Sequence, residues 1–118
     1  MKIPYLLIVA GLLFVLGGCA HAPQEPLAEP PTLVIDVRTG QEWQAGHLDG
    51  AISIPSDRVG LETAVAAPDR KTRIYLYGRT GILTVPAFEA LKKAGYEDLI
   101  NLGTVENASR VLNLPIVK

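Results

Sequence analysis

The chain has 118 residues, a formal net charge of −1 and a single cysteine, Cys19. This length allows one folded domain, and one cysteine excludes an intramolecular disulfide and a multi-cysteine zinc site within the chain. Two histidines, His21 and His47, are too few for a typical zinc cluster. Because no basic stripe is present, nucleic acid is not an expected partner. We expect neither a metal nor a cofactor.

Residues 1–18 are typical of a signal peptide. Lys2 supplies a positive start, and the apolar run from Ile3 to Leu16 is shorter than the roughly 20 residues that a membrane-spanning helix needs. The next residues, Leu16-Gly17-Gly18-Cys19, resemble the lipobox of bacterial lipoproteins. That resemblance implies cleavage before Cys19, a diacylglyceryl thioether on its sulfur and an acyl chain such as palmitate on the new amine.

Two processing routes stay open. The residue after Cys19 is Ala20 and not Asp. By resemblance to Gram-negative lipoproteins, this implies an anchor in the outer membrane, with the domain facing the periplasm. Alternatively, Ala20-His21-Ala22 fits a secretory cleavage site, which would release a soluble periplasmic domain. Residues 19–31 are predicted to form a proline-rich, extended tether that reaches up to about 40 Å. The folded domain is assigned to residues 32–118.

Residues 32–118 alternate between strand and helix patterns. Strands are predicted over 32–37, 51–54, 72–77 and 99–102, with helices after Thr39 to about Ala45 and over 58–66, 83–94 and 106–112. Thr39 with Glu42 fits a capping box, Ser56 or Asp57 is a candidate cap, and Gly46 and Gly95 are predicted helix stops. The alternation predicts an α/β domain with a mostly parallel sheet of four to five short strands flanked by helices.

Motifs along this domain share the order and spacing of a known family. They are residues 34–38 (Val-Ile-Asp-Val-Arg), 42–55 (from Glu-Trp-Gln-Ala-Gly-His to Ile-Pro), 74–77, and 91–96 with 101–103. Together these motifs resemble the rhodanese family of sulfurtransferases, most of all the single-domain periplasmic rhodaneses of the phage-shock type. The resemblance implies a three-layer rhodanese-like fold.

Within these motifs, several residues are interpreted as structural. Asp36 and Arg38 are expected to form hydrogen bonds and an ion pair at a strand end, and Glu42 belongs to the capping box. His47 is expected to satisfy a turn rather than bind a metal. Trp43 is assigned to the core, and Thr84 to a helix cap.

The expected catalytic loop departs from the family pattern. An active rhodanese carries a Cys at the head of a six-residue loop, commonly Cys-Arg-Ser-Gly-x-Arg, where backbone N–H groups and a helix dipole stabilise the thiolate that carries sulfur. Here the matching residues are Gly78, Arg79, Thr80, Gly81, Ile82 and Leu83. Gly78 therefore stands at the nucleophile position, Leu83 replaces the second arginine, and no catalytic residue is assigned.

Three functions follow as hypotheses. The first is a catalytically inactive, membrane-anchored binding or scaffolding module, a pseudoenzyme with an envelope protein as partner. The second is a thiosulfate sulfurtransferase-type enzyme that uses an unrecognised route or a partner's thiol. The third is a small-anion sensor that uses the residual loop, residues 78–83. Since the amide cradle is a backbone feature, Gly78→Cys is expected to rebuild a reactive thiol.

Overall fold

The computed structural model describes residues 31–118. The predicted signal peptide, Cys19 and the tether up to Pro30 lie outside the described residues. The elements, in chain order, are β1 (Thr32–Asp36), α1 (Gly40–Ala45), β2 (His47–Leu48), β3 (Ile52–Ser53), a 3₁₀ turn (Ser56–Arg58), α2 (Val59–Ala66), β4 (Arg73–Tyr77), α3 (Val85–Lys93), β5 (Leu99–Gly103), α4 (Val105–Leu112) and β6 (Ile116–Val117).

Four parallel strands form the main sheet, in the order β3-β1-β4-β5. Ile35 of β1 lies opposite Ile52 on one side and Leu76 on the other, and Leu76 lies opposite Asn101 of β5. Because all four strands run in the same direction, their carboxyl ends meet at one edge of the sheet, which we call the pocket edge. The loops before the strands lie at the other edge, which we call the entry edge.

Helices cover both faces of the sheet, as the alternation of side chains along β4 requires. Ile74 and Leu76 face a core shared with α2 and α3, while Tyr77 faces a second core shared with α4. The first core contains Ile35, Val37, Ile54, Val59, Ala67, Ile74, Leu76, Ala87, Leu91 and Tyr96. The predicted α/β class with a mostly parallel sheet is therefore confirmed.

The capping box and the glycine stop are also confirmed. The Thr39 hydroxyl accepts a hydrogen bond from the Glu42 N–H at 3.3 Å, at the start of α1. At the end of α3, Gly95 has φ +101°, and its N–H donates to the Lys92 carbonyl oxygen while the Tyr96 N–H donates to that of Leu91. This pairing is a Schellman motif, which favours glycine because an L side chain is strained at that φ.

Other local predictions are wrong. Neither Ser56 nor Asp57 caps α2 with its side chain; a 3₁₀ turn, closed by the Arg58 N–H on the Pro55 carbonyl, leads into the helix instead. Helix α3 begins at Val85 rather than at residue 83, because residues 81–84 form a turn. The Thr84 hydroxyl donates back to the Gly81 carbonyl at 2.6 Å instead of capping the helix.

Two further features differ from the sequence prediction. β2 and β6 pair antiparallel as a separate two-stranded sheet, with His47 opposite Val117, and neither strand was predicted. Trp43 is only half-buried and stacks on His47, outside both cores.

Among residues 31–118, no helix combines the length and apolarity needed to cross a membrane.

Candidate active-site pocket

A buried ion pair lies at the carboxyl end of β1. Asp36 has no exposed side-chain surface, and Arg38 contacts both of its carboxylate oxygens, with an Nη2–Oδ2 distance of 2.7 Å. The Arg38 N–H adds a bond to Oδ1 at 2.9 Å. The side-chain hydrogen bonds to Asp36 stabilise the charged guanidinium and raise the pKa of Arg38. The hydrogen bonds and the ion pair expected of Asp36 and Arg38 are therefore present at this strand end.

Arg38 also ties neighbouring elements to this strand end. Its Nη2 donates to the Gly46 carbonyl oxygen at 2.6 Å, just beyond α1. Its guanidinium lies 5.5 Å from the centre of the Tyr77 ring, at the end of β4. The Tyr77 hydroxyl accepts from the Leu48 N–H at 2.9 Å, and burial raises the pKa of this hydroxyl.

A cavity of about 170 Å³ opens at the pocket edge between the loops after β1 and β4. It is lined by Val37, Arg38, Thr39, Glu42, Gly78, Arg79 and Leu83. The fold therefore brings together, in one pocket, residues of the first-strand motif, the α1 motif and the 78–83 loop. Asp36 does not line the cavity itself but is bonded to Arg38, which does. His47 does not line the cavity either.

Glu42 and Arg79 close one side of this pocket. Arg79 Nη2 lies 2.9 Å from Glu42 Oε1, and Arg79 Nε lies 3.2 Å from Oε2, so the pair is bidentate. The hydrogen bond from Arg79, together with one from the Thr39 hydroxyl, lowers the pKa of Glu42 to about 2. The cation beside the loop is thus matched by a carboxylate, which weakens its attraction for a free anion.

Gly78 is buried directly after β4, and the space beside its Cα is already filled. A Cβ placed on Gly78 would lie 2.7 Å from Thr84 Cγ2 and 3.4 Å from Val37 Cγ2. Thr84 is itself fully buried, and its hydroxyl bond to Gly81 holds the rotamer that directs the methyl at Gly78. The expectation that Gly78→Cys rebuilds a reactive thiol stays a prediction, and it now requires that Thr84 move first.

The rest of the loop is exposed and partly apolar. Ile82 is 82% exposed and Leu83 is 53% exposed, with Val85 beside them at the start of α3. Thr80 accepts the Leu83 N–H at 3.2 Å, and the Asn101 side-chain amide donates to the Gly81 carbonyl at 3.2 Å. The first bond lies within the loop and the second joins the loop to β5, so both restrain the loop conformation.

His47 serves the turn between α1 and β2. Its Nδ1 lies 2.9 Å from the Trp43 carbonyl oxygen, and the two rings stack with centroids 3.6 Å apart. Thr84, by contrast, was expected to cap a helix, whereas it is buried beside Gly78 and does not line the cavity. The available signal was its small β-branched side chain six positions after Gly78, in a loop that returns on itself.

The match to known proteins decides the family. A family model described as the rhodanese-like domain matches residues 21–104.

The chain belongs to the rhodanese family.

Individual relatives and structures agree with this assignment. The thiosulfate sulfurtransferase PspE of Escherichia coli is 34% identical over 73 residues, which cover 62% of this chain and 70% of PspE. The probable adenylyltransferase/sulfurtransferase MoeZ of Mycobacterium tuberculosis is 36% identical over 69 residues, which cover 58% of this chain. These residues span only 18% of MoeZ, so the likeness concerns one part of that protein.

Solved rhodanese structures have the same fold. A structure described as a rhodanese with anions from E. coli superposes with a TM-score of 0.66 at 32% identity, covering 74% of this chain and 98% of that one. The Rhodanese_3 like domain of the Alr3790 protein from Anabaena gives a TM-score of 0.63 at 25% identity, covering 74% and 99%. The rhodanese-like domain described above is therefore an α/β fold shared with sulfurtransferase relatives.

Acid should weaken the Glu42–Arg79 contact in a defined pH window. A carboxyl whose pKa is lowered in the folded state stabilises the fold above its ordinary pKa of about 4.3, and that stabilisation is lost as the pH falls towards about 2. Urea unfolding between these pH values should therefore show a steeper loss of unfolding free energy for wild type than for Glu42→Gln. Arg79→Gln is the matched control and should flatten the profile similarly; superimposable wild-type and variant profiles would contradict the assignment.

The contact between positions 78 and 84 predicts a coupled stability effect. Gly78→Ala should lower the unfolding free energy by about 1–3 kcal/mol, the usual cost of overpacking. Adding Thr84→Ser removes the methyl and keeps the hydroxyl, so the double variant should recover much of that loss. Gly40→Ala is the control, since its Cβ meets nothing within 4 Å. Additive losses in the double-mutant cycle would show that the methyl is not the obstacle.

Proposed function

We propose that this rhodanese-like domain is a membrane-anchored envelope protein that binds a partner and does not itself transfer sulfur. The observation that carries the proposal is Gly78, a buried residue without a side chain at the end of the central strand, packed against the Thr84 methyl. Catalysis in this family, as the motif resemblance implies, needs a thiolate at that position.

The position of Gly78 supports its alignment with the family nucleophile. It follows β4 directly, lines the pocket, and heads the loop that leads into α3. Arg79 and Gly81 occupy the second and fourth places of the loop pattern, as in Cys-Arg-Ser-Gly-x-Arg. Leu83 takes the place of the second arginine and is half-exposed at the pocket mouth.

No thiol elsewhere in the chain replaces the sulfur that is missing at position 78. Cys19 is the only cysteine in the sequence. As a lipidated residue its sulfur is a thioether, which is not a nucleophile, and cleavage after Ala22 would remove it. No other side chain of the chain carries a thiol on which a persulfide can form.

The pocket that is left suits recognition of a protein. The guanidinium of Arg79 is held by Glu42, so the mouth carries little free charge. Ile82, Leu83 and Val85 instead expose apolar surface around it. Such a surface favours an envelope protein that presents an apolar side chain to the cavity.

The anchor is the second part of the proposal. Residues 1–18 act as a lipoprotein signal peptide, Cys19 carries the lipid, and the domain faces the periplasm from the outer membrane. The lipobox resemblance supports this placement. Two or more acyl chains give stable membrane attachment, because each buried CH₂ contributes about 0.8 kcal/mol.

Sulfur transfer is a second candidate, favoured by the names of the relatives PspE and MoeZ. On this reading the domain would position a donor for a thiol supplied by a partner protein. Anion sensing is a third candidate, and the related rhodanese described with anions favours it. The Glu42 carboxylate in the pocket wall counts against tight anion binding.

An activity assay separates these candidates. Purified protein with thiosulfate and cyanide should form no thiocyanate above background, and mass spectrometry after donor treatment should show no added sulfur. The double variant Gly78→Cys/Thr84→Ser should take up sulfur, whereas Gly78→Cys alone should do so more weakly because Thr84 crowds the new side chain. Turnover by the wild-type protein at rates well above background would refute the binding-module proposal. Thermal stabilisation by millimolar thiosulfate, sulfite or phosphate would instead favour the anion sensor.

Metabolic labelling tests the anchor. Cells that express the full chain should incorporate a fatty-acid probe into wild type and not into Cys19→Ala. The same variant should leave the membrane fraction while keeping its fold, since Cys19 precedes the domain. Equal labelling of the two proteins, or a released wild-type protein cut after Ala22, would contradict lipidation.

A further inference from the structure

The entry edge of the domain carries five cationic and four acidic side chains. Its cationic side chains, all exposed, are Arg70, Lys71 and Arg73 around the start of β4, and Lys92 and Lys93 in the last turn of α3. The acidic residues in the same segments are Asp69, Glu97 and Asp98, with Glu89 one helical turn earlier on α3. The positive charges therefore outnumber the negative ones at this edge.

Contacts show that these segments form one surface. Arg70 Nε donates to the Ala94 carbonyl at 2.7 Å, which joins the loop before β4 to the end of α3. Arg73 pairs with Asp98 at 3.0 Å, which joins it to the loop before β5. Arg70 is bonded to carbonyl oxygens and the Tyr96 hydroxyl rather than to a carboxylate, so its charge is not neutralised by an ion pair.

At the opposite edge the arginines all have carboxylate partners, whereas among the described residues of the entry edge only Arg73 does. Each arginine there pairs with a carboxylate: Arg38 with Asp36, Arg58 with Glu62, and Arg79 with Glu42. The pocket edge therefore offers apolar surface and paired charges. At the entry edge four cations form no ion pair within the described part of the chain: Arg70, Lys71, Lys92 and Lys93.

The chain enters the domain at the basic edge. The Arg73 N–H donates to the Pro31 carbonyl at 2.9 Å, and Thr32 lies opposite Arg73 in the sheet. Residues 20–31 connect this point to Cys19. The attachment point of the proposed anchor and the basic surface thus lie on the same side of the domain.

We infer that the basic entry edge docks on anionic phospholipid headgroups, with the pocket edge turned away from the membrane. The inference rests on the proposed lipid anchor. The positive excess is small, and lysine and arginine side chains contribute only modestly each near a charged surface. The anchor supplies the attachment, and the basic edge supplies the orientation. A partner that enters the pocket then approaches from the periplasmic side.

Lysine footprinting on vesicles tests the orientation. The processed chain, residues 19–118, is coupled through the Cys19 thiol to a maleimide lipid, in vesicles of phosphatidylcholine with or without phosphatidylglycerol. Acetylation of each lysine is followed by mass spectrometry. Lys71, Lys92 and Lys93 should react about threefold more slowly on the anionic vesicles, and about 1 M salt should abolish the difference because the screening length falls to about 3 Å.

Lys118 is the internal control. It follows β6, whose Val117 lies opposite His47, so it is remote from the entry edge. Its acetylation should not respond to vesicle charge, and Lys71→Glu/Lys93→Glu should remove the protection of Lys92. Equal reactivity on both vesicle types, or protection of Lys118 to the same extent, would overturn the inference. Because the coupling is chemical, this outcome is independent of whether cells lipidate Cys19.

Discussion

A carboxylate without exposed surface, Asp36, determines how the strand ends of this domain are arranged. A buried charge is costly unless it is paired, and removing its partner leaves an uncompensated charge in the interior. Arg38 supplies the partner, and the same guanidinium reaches Gly46 and faces the Tyr77 ring. The end of β1, the end of α1 and the end of β4 are therefore fixed relative to one another by one ion pair.

This constraint limits what the pocket can do. Arg38 is paired with Asp36 and Arg79 with Glu42, which weakens the attraction of both guanidinium groups for an anion. At Gly78 the Thr84 methyl occupies the volume next to the backbone. Apolar surface of Ile82, Leu83 and Val85 is exposed around the pocket. These features support the proposed binding of a protein side chain over that of a small, strongly hydrated anion, which must be compensated for the water it loses.

Much of the fold follows from local signals in the sequence. The parallel strands at 32–36, 73–77 and 99–103 are short apolar runs, and Gly46 and Gly95 end helices for conformational reasons. The β2–β6 sheet could not be predicted from such signals, because strands of two residues show no periodicity in the sequence. Trp43 was misassigned because hydrophobicity alone does not distinguish a core position from a ring stacked on a neighbouring histidine.

The sequence motifs predicted which residues belong to the site, but not how those residues contact one another. Family motifs name residues 36, 38, 42 and 78–83, yet Glu42 and Arg79 meet only because β1 and β4 are neighbours in the sheet. Thr84 reaches Gly78 through a loop rotamer that its own hydroxyl bond sets. Gly78 has no side chain, yet the space beside its Cα is not an empty cradle. The Thr84 methyl fills that space, so a side chain introduced at position 78 fits only after Thr84 moves.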